Sequence, residues 1–387
     1  MQRLVSALTR DLNRVYVATL FFCLHYVLML YFNSTFIARL VGEAWVGLVY
    51  AAGAVITIVL LSHAAHVLRI HGNKKVLLCL IALEACAICT FAYIPIVPIA
   101  IIAFVFHHGL ATFIFLSFDV FIEHYAKRQD TGRARGTFLT IINICYVVSP
   151  FLSGFIITQL GYSALYSIAL IMLIPFALAV ASIRHFKDDH YDDHSLIDAL
   201  KVLVRVPRIR AIVTVSLILQ MFYAAMVVYM PIYLTELGYT AESIGIIFTV
   251  MLIPFVLFQY GLGRLADKVT GEKEFLILGL LIIAITTFLV PLIGAATTAI
   301  WAILLFGTRT GASWTEIMGE SYFYKQVRRQ DTDLMALWRS LNGFAYIVIP
   351  IIAFLAIQVS SITAIFYIAS FLAVIGIGVA LQLKDTR

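Results

Sequence analysis

Residues 298–323 read TAIWAILLFGTRTGASWTEIMGESYF. The run is long enough to cross a bilayer as one α-helix, and Arg309 stands about halfway along it. Ser313, Glu316 and Glu320 follow at steps of four, seven and eleven residues, which share one face of an α-helix. An otherwise apolar helix thus carries a polar stripe through the membrane. A charge at mid-bilayer costs about 3 kcal/mol on insertion scales. Such a residue persists where it faces a bundle interior or a watery cavity, so the stripe reads as functional. The plainer alternative is that Arg309 pairs with a carboxylate of a neighbouring helix and locks the bundle.

The remaining sequence fits a membrane-spanning chain. Of 387 residues, 62% are hydrophobic and 12% are charged, against about 25% charged in soluble domains. The mean hydropathy is +0.99. The apolar runs have the length of helices, not of barrel strands. Twelve spans are expected, at 14–38, 45–68, 76–94, 97–122, 137–158, 163–183, 210–234, 243–265, 275–293, 298–323, 334–358 and 361–383. The first follows a short polar stretch directly and reads as an uncleaved anchor. Of 27 Lys and Arg, 24 fall at the termini or in connections after even-numbered spans, against Arg39 alone on the other side. The positive-inside rule then puts both termini in the cytoplasm. Short connections suit a bacterial inner membrane. The net charge of +6 faces lipid headgroups and implies no nucleic acid. All five cysteines lie in spans, and Cys86-x-x-Cys89, without a second pair, reads as packing.

The chain repeats itself. Lys127-Arg128-Gln129-Asp130-Thr131 recurs as Arg328-Arg329-Gln330-Asp331-Thr332, and Tyr146 and Pro150 recur as Tyr346 and Pro350. His108, Thr112 and Asp119 of span 4 stand where Arg309, Ser313 and Glu320 stand in span 10. Two six-helix halves of the same orientation form a parallel repeat, and such halves place a site at the midplane between them. The expected division is 1–185, a linker 186–208, and 209–387. Ser195 to Asp198 of the linker has the pattern of a capping box, and a short surface helix is expected after it. The Asp and His residues at 188–194 could bind a metal, but a polar linker explains them equally well, and no metal is expected.

At this point the chain resembles the major facilitator superfamily over its whole length. The resemblance implies an all-α membrane fold of two six-helix bundles related by a pseudo-two-fold axis along the membrane normal. The family's loop signature between helices 8 and 9 matches Gly263, Asp267, Lys268, Gly271 and Lys273. Its counterpart between helices 2 and 3 keeps Gly72, Lys74 and Lys75, but has Ala65 at the first glycine and Arg69 at the acidic position. The resemblance implies that this loop gates the cytoplasmic mouth together with Asp119 and Glu320. Arg339, His63 and His66 lie near that mouth and join the gate set. Span 5 carries Cys145-x-x-x-Ser149-Pro150-x-x-Ser153-Gly154, which resembles the family's antiporter motif with small residues in place of three glycines. The motif tilts the reading toward export; ordinary close packing of helices is the alternative.

The resemblance also implies that helices 1, 4, 7 and 10 line a cavity. Each carries a polar residue near mid-bilayer: His25, His107 and His108, Gln220, and Arg309. Tyr223 lies one turn from Gln220, and Met29, Tyr229 and Trp314 join the lining. Coupling needs a group that changes charge, and Glu316, His25, His108 and Asp119 are the candidates, with Glu84 of span 3 a further one. The expected function is secondary active transport by rocking of two halves, as proton-coupled export of amphipathic or drug-like compounds. The alternatives are proton symport of an organic anion or sugar, and a non-transporting receptor or scaffold. Expected partners are a small-molecule substrate, protons or sodium, and the lipid bilayer, with a monomeric protein and no cofactor. An enzyme is not expected, since the sequence has no nucleotide loop, no metal-ligand spacing and no Ser/His/Asp set.

Overall fold

The computed structural model describes residues 2–94, 96–126, 131–188, 203, 206–258, 271–327 and 332–383. Its elements are twelve helices: α1 (Gln2–Leu30), α2 (Asn33–Val41), α3 (Glu43–His71), α4 (Asn73–Tyr93), α5 (Val97–Ala126), α6 (Thr131–Ser182), α7 (Pro207–Glu236), α8 (Ala241–Phe258), α9 (Glu272–Ile293), α10 (Thr298–Gln326), α11 (Thr332–Val359) and α12 (Thr363–Ala380). Among the described residues there is no strand. Backbone polar groups in hydrocarbon must be satisfied within the chain, and helices do this segment by segment.

Twelve helices and twelve spans coincide only after two adjustments. The first expected span is broken at Tyr31 and Phe32, and α2 starts afresh there. Thr35 Oγ1 donates to the Phe32 carbonyl at 2.8 Å and steadies the break. Spans 5 and 6 both lie within α6, which divides between them at Gly161, whose φ of +81° only glycine adopts easily. Among the described residues, ten helices are apolar and long enough to cross a membrane, counting α6 once. α10 is not among them, because its polar stripe dilutes the apolar character of the run.

The chain divides into two units, one of Met1–Val41 with Ala52–Asp193, the other of Gly42–Ala51 with His194–Arg387. In unit 1, α1 lies along α6, while α4 packs on α5 and α6. Phe22, Phe118 and Phe176 cluster at the centre, with ring centroids 5.3 to 5.7 Å apart. In unit 2, α7 is buried along most of its length and packs against α10, α11 and α12. α9 and α10 touch backbone to backbone: a Cβ on Gly311 would lie 2.5 Å from the Gly279 carbonyl oxygen.

The repeated loop signature has a local purpose in each unit. Gly72 before α4 and Gly271 before α9 both take positive φ, +79° and +91°. Lys74 Nζ then donates to the carbonyls of Ala181 and Ile183 at the end of α6, at 2.9 and 2.5 Å. Lys273 Nζ does the same for Leu381 at the end of α12, at 2.9 Å. Each lysine meets carbonyls that a helix end leaves unpaired. Where Arg69 occupies the acidic position, Asp188 supplies a carboxylate, accepting from the Asn73 backbone N–H at 2.7 Å. Gly263, Asp267, Lys268, most of the repeated pentapeptide and the expected linker helix lie outside the described residues.

Candidate functional site

α10 carries the site of unit 2. Arg309 is 3% exposed, and its Nε and Nη2 have no hydrogen-bond partner. No carboxylate lies within ion-pair distance of it among the described residues, so pairing across the bundle does not account for it. The guanidinium instead sits over aromatic rings, 5.1 Å from the centroid of Tyr223 and 5.7 Å from that of Phe222, both on α7. Stacking stabilises a cation but leaves its in-plane donors unused. Nε and Nη2 share one edge of the guanidinium, the edge that receives the two oxygens of a carboxylate or phosphate side by side.

Two turns further along α10 stands Glu316, half-buried, with Tyr223 donating to its Oε2 at 2.7 Å. Tyr223 therefore touches both charges, its ring under Arg309 and its hydroxyl on Glu316. Glu316 and Glu320 open onto a small cleft, which Ser216 and Gln220 of α7 and Trp338 of α11 also line. Asn342 donates to Gln220 Oε1 at 2.9 Å and fixes the amide. One basic edge, one acidic group and an amphipathic cleft thus follow each other along α7 and α10.

Unit 1 holds a second polar cluster. His25 of α1, Glu84 of α4 and His107 of α5 are 0%, 0% and 2% exposed. Glu84 Oε1 lies 3.0 Å from His25 Nε2 and 2.5 Å from His107 Nδ1. His25 Nδ1 lies 2.8 Å from the carbonyl oxygen of Ala169 in α6. The sequence places His25 and His107 on a cavity wall; the structure buries both and turns them onto Glu84. Their grouping with Glu84 was not readable, since the three come from three helices.

The other expected residues fall as follows. His108 turns away from His107 toward α3, where Thr57 Oγ1 is 3.1 Å from its Nδ1 and Gly53 leaves room beneath its ring. Trp314 is wedged between Phe258 and Phe275, at 5.8 and 5.7 Å, in the packing of α8, α9 and α10. Tyr229 and Met29 are buried. Asp119 is half-buried on α5, and Arg69, His63, His66, Arg339 and Glu320 are exposed. In the span 5 motif, Ser149, Pro150, Ser153 and Gly154 are buried, and Ser153 Oγ donates to the Leu28 carbonyl of α1 at 2.6 Å. Those small residues bring α6 against α1. Asn33-Ser34-Thr35, which has the pattern of a glycosylation sequon, is buried too, with Tyr166 donating to Asn33 Oδ1 at 2.9 Å, and so is closed to glycosylation. Among the described residues no group of three or more His, Cys, Asp or Glu is arranged to hold a metal ion.

Comparison with known proteins adds a family and a fold. The family model described as Major Facilitator Superfamily matches residues 15–320 and 234–387. A search of curated protein sequences finds no match. Among solved structures, the POT family transporter PepTSo superposes with a TM-score of 0.76 at 11% identity, over 96% of this chain and 97% of that one. The nucleoside transporter NupG gives 0.76 at 13% identity, over 97% and 100%. A bacterial homologue of the iron transporter ferroportin, in an inward-facing state, gives 0.77 at 12% identity, over 97% and 98%. At such identities the likeness is one of fold.

Proposed function

The chain belongs to the major facilitator superfamily, and from that premise we propose that it is a secondary active transporter moving a small amphipathic organic anion together with protons. The observation that carries this reading is the open edge of Arg309. A buried guanidinium with unpartnered donors is costly to keep, and an anionic group on a solute satisfies both donors at once. Leu219 and Trp338 of the cleft then accept the apolar body of the solute, with Gln220 reading a polar group on it.

Glu316 supplies the coupling. An anion on Arg309 brings a second negative charge toward this carboxylate, and a proton on Glu316 relieves the repulsion. Solute and proton therefore favour each other's binding, and the site exposes them to the two sides of the membrane in turn. This favours symport of an organic anion over export of drug-like compounds. The span 5 motif, engaged in packing α6 on α1, gives export no separate support. The reading includes a monomer in an inner membrane with both termini in the cytoplasm, and the distribution of Lys and Arg favours that placing of the termini.

The test is internal pH in dye-loaded proteoliposomes, with organic acids, sugars and drug-like cations added outside in turn. Organic acids are expected to drive proton entry, and Arg309→Met and Glu316→Gln to abolish it. Proton movement driven by drug-like cations and indifferent to Arg309→Met would reverse the reading to export. No flux with any compound would favour a receptor or scaffold.

A further inference from the structure

The cluster of His25, Glu84 and His107 in unit 1 takes no part in the solute site, and its hydrogens can be counted. Ala169 offers a carbonyl, so His25 Nδ1 must donate to it. The contacts of Glu84 Oε1 with His25 Nε2 and with His107 Nδ1 need one hydrogen each. An ionised carboxylate brings none, and two neutral imidazoles bring two. Three contacts therefore require one proton more than neutral histidines and an ionised Glu84 carry. With that proton the cluster is electrically neutral and every close contact is satisfied. Without it a nitrogen lone pair faces a carboxylate oxygen, and a net negative charge is buried. No Lys or Arg is ion-paired to Glu84 among the described residues, only the two histidines. Glu84 Oε2, buried and without a partner, gives a further place for a proton to land.

The neighbours offer no substitute charge. From α1, the ring of Tyr26 lies 6.2 Å from that of His107, and Tyr26 lies within electrostatic reach of Glu84, Cys23 and Tyr31. From α5, His108 is engaged with Thr57 of α3. From α4, Lys74 is held at the end of α6. From α6 come the Ala169 carbonyl and the Tyr166 phenol, which donates to Asn33. A hard cation such as sodium takes several oxygen ligands; two imidazoles around one carboxylate suit a proton.

We propose that His25, Glu84 and His107 form a proton-loading site inside unit 1, holding one proton at the contact between His25 Nε2 and Glu84 Oε1. Loading ties α1, α4 and α5 together. On release the proton passes to water, Glu84 is left charged, and the contact between His25 and Glu84 turns repulsive. The role of this proton as a second coupling proton, beside the one on Glu316, rests on the transport reading above; the proton count does not.

Nitrogen-15 NMR of histidine-labelled, full-length protein in nanodiscs, without solute, tests the count. His25 is expected to carry hydrogens on both ring nitrogens at neutral pH. In Glu84→Gln the Nε2 hydrogen is expected to be gone, with His108 unchanged. A wild-type His25 with a single ring hydrogen at neutral pH overturns the proposal, and that spectrum needs no variant to fold. Proteoliposomes test the role: Glu84→Gln is expected to exchange an organic acid down its gradient but to lose proton-driven accumulation. Accumulation equal to wild type overturns the coupling role. Wild-type protein that moves no acid at all sinks the transport reading and that role with it, while the NMR spectrum still decides the proton count.

Discussion

Arg309 separates two quantities that usually fall together in a mutant, folding and binding. Its unused Nε and Nη2 represent desolvation without recompense in the empty protein. Arg309→Met keeps most of the stem, which packs near Phe222 and Tyr223, and removes the charge. Thermal unfolding of the purified variant is therefore expected at a temperature equal to or above wild type. Binding of an organic acid is expected to weaken by on the order of 10- to 100-fold, since a hydrogen bond to a charged group contributes about 1.5–3 kcal/mol. A variant that unfolds earlier and binds equally well would show that Arg309 is structural. This residue and Glu316 were legible in the sequence because they break an apolar helix on one face. His107 and His108 were legible only as a pair. They are neighbours on a helix apolar all round, so periodicity gives no face to choose between them. Glu84 was visible as a lone carboxylate in a span; its partners were not, because only tertiary packing brings α1, α4 and α5 together.

At the scale of elements, α10 is positioned by its contact with α9. A Cβ on Gly279 would meet the Gly311 carbonyl oxygen at 2.7 Å and Thr315 Oγ1 at 2.5 Å. Backbone cannot yield as a flexible side chain can, so Gly279→Ala is expected to destabilise by about 1–3 kcal/mol, the usual range for overpacking. Acid transport is expected to fall with it, because the stripe of α10 moves as the helices part; unfolding curves and initial uptake rates check both. The lysine caps are a milder case. Lys74→Ala and Lys273→Ala each remove a donor from helix-end carbonyls, and each is expected to cost about 0.3–1 kcal/mol in unfolding free energy. Equal losses in the two variants would reflect the internal repeat, and no loss in either would make the caps incidental. Hydropathy located the helices well but missed one joint. Tyr31 and Phe32 are apolar, so the break between α1 and α2 leaves no trace in composition. The joint between spans 5 and 6 was legible, because Gly161 sits between two apolar runs and there takes the non-helical φ of +81°.

The whole molecule is a repeat in architecture and unlike in chemistry. Unit 2 presents a basic edge, a carboxyl group and a cleft, while unit 1 seals two histidines around one carboxylate. If solute is held in the first and a proton in the second as well as on Glu316, coupled transport requires that each alter the affinity for the other. Linkage makes the effect reciprocal: the factor by which protonation of unit 1 strengthens acid binding equals the factor by which bound acid strengthens proton holding. An organic acid is therefore expected to bind tighter at acid than at alkaline pH. The difference should shrink in Glu84→Gln, a variant outside the cleft. The same acid should change the pH at which the wild-type His25 signal alters in NMR, and leave it untouched in Arg309→Met. A coupling of about 1–3 kcal/mol, typical of linked sites, corresponds to a 5- to 150-fold change in affinity across the titration, well within reach of calorimetry. Acid binding that depends on pH equally in wild type and Glu84→Gln would place the whole linkage on Glu316 and confine proton and solute to one unit.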